Sequence, residues 1–196
     1  MPPNIVLASS STYRSLMLKH LGLDFTVEPP EIDETPYENE GPYDFCNRLS
    51  YEKASKVAQN HPSDYVIGCD QAAYCNGKYL SKPGNFETNL EYLLHSQGKV
   101  INFFTGLCLL NLEKKVCLQT SKLVTAHVKK LQPQLIKDYI RMDKPYDCAG
   151  GIRIEKKGIA LLEKLESDDP TAIMGMPLIT LIGFLEQCGI YAHSTI

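Results

Sequence analysis

The chain has 196 residues and a mass of 22.0 kDa, which suits one domain, taken as 1–196, or at most two lobes sharing a core. Apolar residues make up 43% and charged residues 22%, a balance that excludes collagen-like, disulfide-scaffold and disordered chains. A formal net charge of -3 argues against a nucleic-acid binder, and no apolar run approaches the length of a membrane span.

In chain order, Asn4–Ala8 is a short apolar run with β-branched members, followed by the hydroxyl turn Ser9-Ser10-Ser11-Thr12. Leu16, Met17, His20 and Leu21 then recur at helical spacing until Gly22, so the start reads as strand, turn, helix. Asp24–Glu28 is an expected strand closed by Pro29-Pro30, and Glu31–Pro42 is an acidic loop too polar for a core. A helix is expected over Tyr43–Asn60. Tyr65–Asp70 reads as a central strand buried on both faces, and Ala72–Leu80 as a hairpin turning at Asn76-Gly77. Asn85–His95 is helical, and Val100–Leu112 with Val116–Lys129 form an antiparallel pair. Pro133–Met142 is a helix, Ala149-Gly150-Gly151 a turn leading to a strand, and the last helix follows Pro177 and closes at Gly189. Strands alternating with helices, together with an antiparallel section, define an α/β fold with a mixed twisted sheet and flanking helices.

Seven cysteines (46, 69, 75, 108, 117, 148 and 188) form no CxxC, and five histidines include no HExxH. Met1–Leu7 shows no basic segment ahead of a long apolar core. These features lead to the expectation of a reduced, cytoplasmic protein with no signal peptide and no structural zinc.

Three positions depart from the local pattern. The Ser9–Thr12 turn at a helix start presents unpaired N–H groups that suit an anion, and Arg14 one turn on could clamp phosphate. Equally, Ser11 or Thr12 simply caps the helix and Arg14 is a solvated cation. Lys53 falls on the buried row Phe45, Leu49, 53, Val57, where an ammonium needs either an anionic partner or an outlet to water. Asp70 ends an apolar strand, where open α/β sheets place ligands, although Asp there is also an ordinary loop starter. Arg14, Lys53 and Lys82 together could supply positive charge to a phosphate chain. Asp70 and Glu34 could hold a hard divalent cation and activate water. Cys69 or Cys148 as a nucleophile is the rival, without a histidine nearby in sequence.

The segments Ile5–Arg14, Ile32–Glu34, Tyr51–Ala54, Gly68–Gln71, Ser81–Pro83, Phe104–Gly106, Asp147–Gly151 and Met174–Leu178 stand in the order seen in Maf proteins, which this chain resembles over nearly its whole length. The resemblance implies an inosine-triphosphatase-like α/β fold with two lobes around a cleft. It also implies a divalent metal (Mg2+, Mn2+ or Co2+) and cleavage of a nucleoside triphosphate to monophosphate and pyrophosphate. By the same resemblance, Ser9, Ser11, Arg14, Lys53 and Lys82 bind substrate, Glu34 and Asp70 hold metal, and Asp70 is the proton acceptor. Tyr13, Gln71 and Glu155 occupy the base-selecting positions in the pattern of the subgroup acting on 7-methyl-GTP, with Tyr where tryptophan is familiar. Thr12 departs from the family's usual proline. The implied partner is a small nucleotide, with neither nucleic acid nor membrane, and a homodimer is compatible. Pyrophosphatases for UTP, dTTP or another modified nucleotide, and a non-catalytic nucleotide-binding division regulator, are the alternatives.

Overall fold

A computed structural model describes residues 4–191. Its centre is a seven-stranded sheet in the order β2-β1-β3-β5-β6-β7, with β4 paired to β3. β1 (Ile5–Ala8) is buried along its length and lies parallel to β3 (Tyr65–Cys75). On its other side it pairs with β2, which shrinks to Thr26–Val27 because it is an exposed edge. β1 feeds α1 (Thr12–His20), and Ser11 caps that helix by accepting from the Arg14 N–H at 3.4 Å.

The expected break after Asp70 does not occur. β3 runs unbroken to Cys75 because β5 (Val100–Asn111), antiparallel to it, pairs with Val66 through Tyr74. Asp70 therefore lies mid-strand opposite Gly106, just beyond the Ala8↔Gly68 pair where β1 stops, and not at a strand end. Asn76-Gly77 does make the tight turn, with φ of 47° and 83°, and leads into β4 (Lys78–Tyr79).

Three helices complete the frame around this sheet. α2 (Pro42–Ala58) precedes β3, α3 (Phe86–Ser96) follows β4, and α4 (Pro133–Asp143) follows β6 (Val116–Val128), the antiparallel partner of β5. Short 3-10 turns lead into β7 (Leu162–Glu166) and then into α5 (Leu178–Gln187). Among the described residues no helix is long and apolar enough to cross a membrane, and all seven cysteines are free thiols.

Of three apolar clusters, the smallest packs Val66 of β3 and Cys108 and Leu110 of β5 against Ala54, Val57 and Ala58 of α2, and two larger ones share the rest of the long strands. One joins Tyr65, Ile67 and Cys69 of β3 and Leu107 and Leu109 of β5 to Met17, Leu18, Leu181 and Leu185 of α1 and α5. The other joins Ala73 and Cys75 of β3 and Ile101 and Phe103 of β5 to Tyr92, Leu93, Ile136 and Ile140 of α3 and α4. Asp70, Gln71, Thr105 and Gly106 fall at the seam. Over that seam lies α2, brought close by two glycines. A Cβ on Gly68 would overlap the Ser50 carbonyl oxygen, and one on Gly106 would overlap that of Cys46. This close approach carries Lys53 to the strand residue Asp70.

At the far end of α2, His61 links three elements, with Nε2 at 2.7 Å from Glu28 and Nδ1 at 3.2 Å from Asp64. Glu28 first, then Asp64, raises its pKa above the ordinary 6.5. The stabilisation from this link is fully present below pH 6.5 and fades as pH rises through the elevated folded-state pKa. Urea midpoints should therefore separate wild type from His61→Ala at pH 6 and converge at pH 9.

Candidate active site

Every residue given a phosphate, metal or base-selecting expectation in the sequence lines one cleft of about 650 Å³, and Cys148 joins them while Cys69 does not. The β1–α1 turn forms one wall with Ser9, Ser11, Tyr13 and Arg14. Lys53 and Asp70 form the floor, Glu34 reaches in from the acidic loop, and Lys82, Gln71 and Glu155 complete the lining.

On the floor, Lys53 Nζ is 2.6 Å from Asp70 Oδ1 and 2.8 Å from Glu34 Oε1. Lys53 and Asp70 are both 6% exposed, so the ammonium meets anionic partners inside the cleft and does not run out to solvent. The lysine that breaks the apolar row of α2 is thus explained by the carboxylate that breaks the apolar run of β3. Lys82 is exposed at the rim and has no ion-pair partner among the described residues.

In the turn, Ser9 is buried and its Oγ accepts from the Ser11 N–H at 3.1 Å and from an Arg14 terminal N–H at 3.2 Å. Arg14 Nε donates to the Gly175 carbonyl at 2.9 Å. The guanidinium is thereby fixed along the wall by the loop before α5. The first-turn N–H groups of Thr12 and Tyr13 have no intrahelical acceptor and carry the positive end of the α1 dipole.

A second group of residues surrounds Tyr13. Arg153 lies 5.7 Å from its ring centroid, donates to Asp147 Oδ1 at 2.5 Å and to the Asp143 carbonyl at 2.8 Å, and has Nε 3.9 Å from Glu155 Oε1. Burial, followed by the charge of Cys148, pushes the Tyr13 hydroxyl up to about 12, against the lowering influence of Arg153. Tyr13 therefore presents a neutral ring at physiological pH. Gln71 is held from below, the two N–H groups of its Nε2 shared among the Ala172 and Ile173 carbonyls at 2.9 and 3.0 Å and Thr105 Oγ1 at 3.1 Å.

The thiol alternative loses its chemical basis here. Burial pushes both Cys69 and Cys148 up to about 11, so both are protonated near neutral pH, and Cys69 is sealed in the core. Glu34 and Asp70 offer oxygen donors alone. That is the set preferred by a hard divalent cation that completes its shell with substrate phosphates and water. The donor chemistry of the cleft fits a hard divalent cation.

Arg153 and Asp147, gathered beside Tyr13, had no place among the candidate residues read from the sequence. Asp147 stood in a quoted motif without a role. Arg153, between Ile152 and Ile154, is only 8% exposed.

Within this geometry the similarities to known proteins fall into place. The family model described as Maf-like protein matches residues 4–188, and the chain belongs to that family. The 7-methyl-GTP pyrophosphatase of Colwellia psychrerythraea is 40% identical over 186 residues, covering 95% of this chain and 93% of that protein. The protein of the same name from Nitrosococcus oceani is 42% identical over 188 residues, covering 96% and 94%. Among solved structures, the Staphylococcus aureus Ham1 protein is 18% identical with a TM-score of 0.46, over 65% of this chain and 72% of that one.

Proposed function

We propose that the chain hydrolyses 7-methyl-GTP to 7-methyl-GMP and pyrophosphate, with a divalent cation. The observation that carries this reading is the convergence of Glu34 and Asp70 on the Lys53 ammonium in a cleft whose lining includes Tyr13, Gln71 and Glu155. The names of the full-length relatives support the substrate. The seven unpaired thiols suit a reducing, cytosolic setting.

In this reading the Ser9–Ser11 turn, Arg14, Lys53 and Lys82 bind and orient the triphosphate, offsetting its charge as the anhydride is cleaved. Glu34 and Asp70 would hold the cation. When bound, that ion supplies Lewis-acid stabilisation and lowers the pKa of water. Asp70 takes the proton from the attacking water, and its Oδ1 is kept in place by Lys53. Tyr13 stacks on the cationic 7-methylguanine, a contact worth about 0.5–2 kcal/mol. Glu155 accepts from the N1–H and N2–H edge of the base and balances its charge. The fixed Gln71 side chain bounds the pocket.

The test compares kcat/KM for 7-methyl-GTP, GTP, UTP and dTTP in wild type and Glu155→Gln. Wild type should favour 7-methyl-GTP. The substitution should lower its kcat/KM by roughly 10–150-fold, the loss of a hydrogen bond to a charged group, and narrow its lead over GTP. A wild-type preference for UTP or dTTP would overturn the substrate assignment.

A further inference from the structure

Residues 31–41 have no regular secondary structure and are mostly exposed, yet they bring Glu34 to 2.8 Å from the Lys53 ammonium. An irregular exposed segment does not hold one carboxylate in place without being tied down. The tie comes from Arg48, five residues before Lys53 on α2. Its Nε and one terminal nitrogen donate to the two oxygens of Glu40 at 2.6 and 2.7 Å. The same terminal nitrogen donates to the carbonyl of Thr35, the residue after Glu34, at 3.2 Å. The guanidinium also stacks on the Tyr37 ring, 3.9 Å from its centroid. Its remaining terminal nitrogen is anchored to Glu52 at 3.1 Å, one turn along the helix.

The loop is reinforced around this grip. Glu40 Oε2 accepts from the Tyr37 N–H at 3.0 Å, and Tyr79 donates its hydroxyl to the Glu40 carbonyl at 3.2 Å. The Arg48 and Glu40 side chains are 16% and 8% exposed, so the fork is sheltered and outweighs an ordinary surface pair. The hydrogen bonds from Arg48 hold the Glu40 carboxyl below its usual range. One rigid helix thus carries both the ammonium that Glu34 meets and the clamp on either side of the loop that delivers Glu34.

We infer that Arg48 is a positioning residue for Glu34, setting how well the cleft takes up its divalent cation. This rests on the reading of Glu34 given under the proposed function. The test uses the full chain with Arg48→Met and Arg48→Lys, each alone and combined with Glu34→Ala. It reads the Mg2+ concentration for half-maximal pyrophosphate release, kcat, and amide hydrogen exchange of residues 31–41 without nucleotide.

Arg48→Met should raise the half-maximal Mg2+ concentration by about 10–100-fold, the range for losing a residue that orients a metal-holding side chain. Loop exchange should quicken while that of α2 stays the same. Arg48→Lys should recover little, because an ammonium lacks the planar fork. In the Glu34→Ala background, Arg48→Met should add no further Mg2+ requirement. An unchanged Mg2+ response in Arg48→Met, or an equal added penalty in the Glu34→Ala background, overturns the inference. Should wild type release no pyrophosphate at all, the functional reading falls, and the exchange comparison alone then supports or overturns the clamp.

Discussion

Asp70→Asn is expected to abolish pyrophosphate release, with kcat falling by about 100–10,000-fold, the range associated with losing a positioned general base. The asparagine matches the carboxylate in shape but cannot take a proton from water, and it is a weaker partner for a divalent cation. Folding should survive, since Asp70 opens on the cleft at the seam between two intact cores and Lys53 keeps Glu34 as a partner. Steady-state kinetics beside a thermal melt separate the two effects. Turnover near the wild-type level in a folded Asp70→Asn protein would remove Asp70 from the mechanism.

Lys53→Met should come close in magnitude. The ammonium sits between the two carboxylates, so under the proposed function its loss removes a preorganised charge that offsets phosphate. The expected drop in kcat is about 100–1,000-fold, as for other single electrostatic contacts to a developing oxyanion. Lys53→Arg should not restore the rate, because the guanidinium is too large for a niche whose two oxygens lie 2.6 and 2.8 Å from one nitrogen. Activity above a tenth of wild type in Lys53→Met, by the same assay, would contradict this role.

Lys53 and Asp70 were legible in the sequence because each breaks an apolar pattern that local physics makes strict. An ammonium on the buried row of α2 and a carboxylate in a buried strand each demand a partner, and they are each other's. The position of Asp70 within its strand was less legible. Ala72 to Cys75 looked like the start of a separate hairpin, whereas pairing with β5, a contact distant in sequence, carries β3 through them. The turn itself was recoverable, since Asn76-Gly77 has a local conformational requirement.

Tyr13 and Glu155 drew notice only through the family resemblance. On their own, a tyrosine in a first helical turn and a glutamate beside two lysines look like surface residues. Arg153 and Arg48 escaped notice for a related reason. Arg153 is held by acceptors at the end of α4 and just beyond it, and the grip of Arg48 comes from a loop with no period of its own. Tertiary contacts of this kind leave no local signature, and an Arg48–Glu52 pair at i,i+4 reads as an ordinary surface bridge.

The most direct test is to incubate the purified chain with 7-methyl-GTP and Mg2+ and to identify every phosphorus-containing product by NMR. The account requires 7-methyl-GMP and pyrophosphate in equal amounts, with neither formed once the cation is chelated. Release of orthophosphate with 7-methyl-GDP, or nucleotide that stays bound and uncleaved, would contradict it.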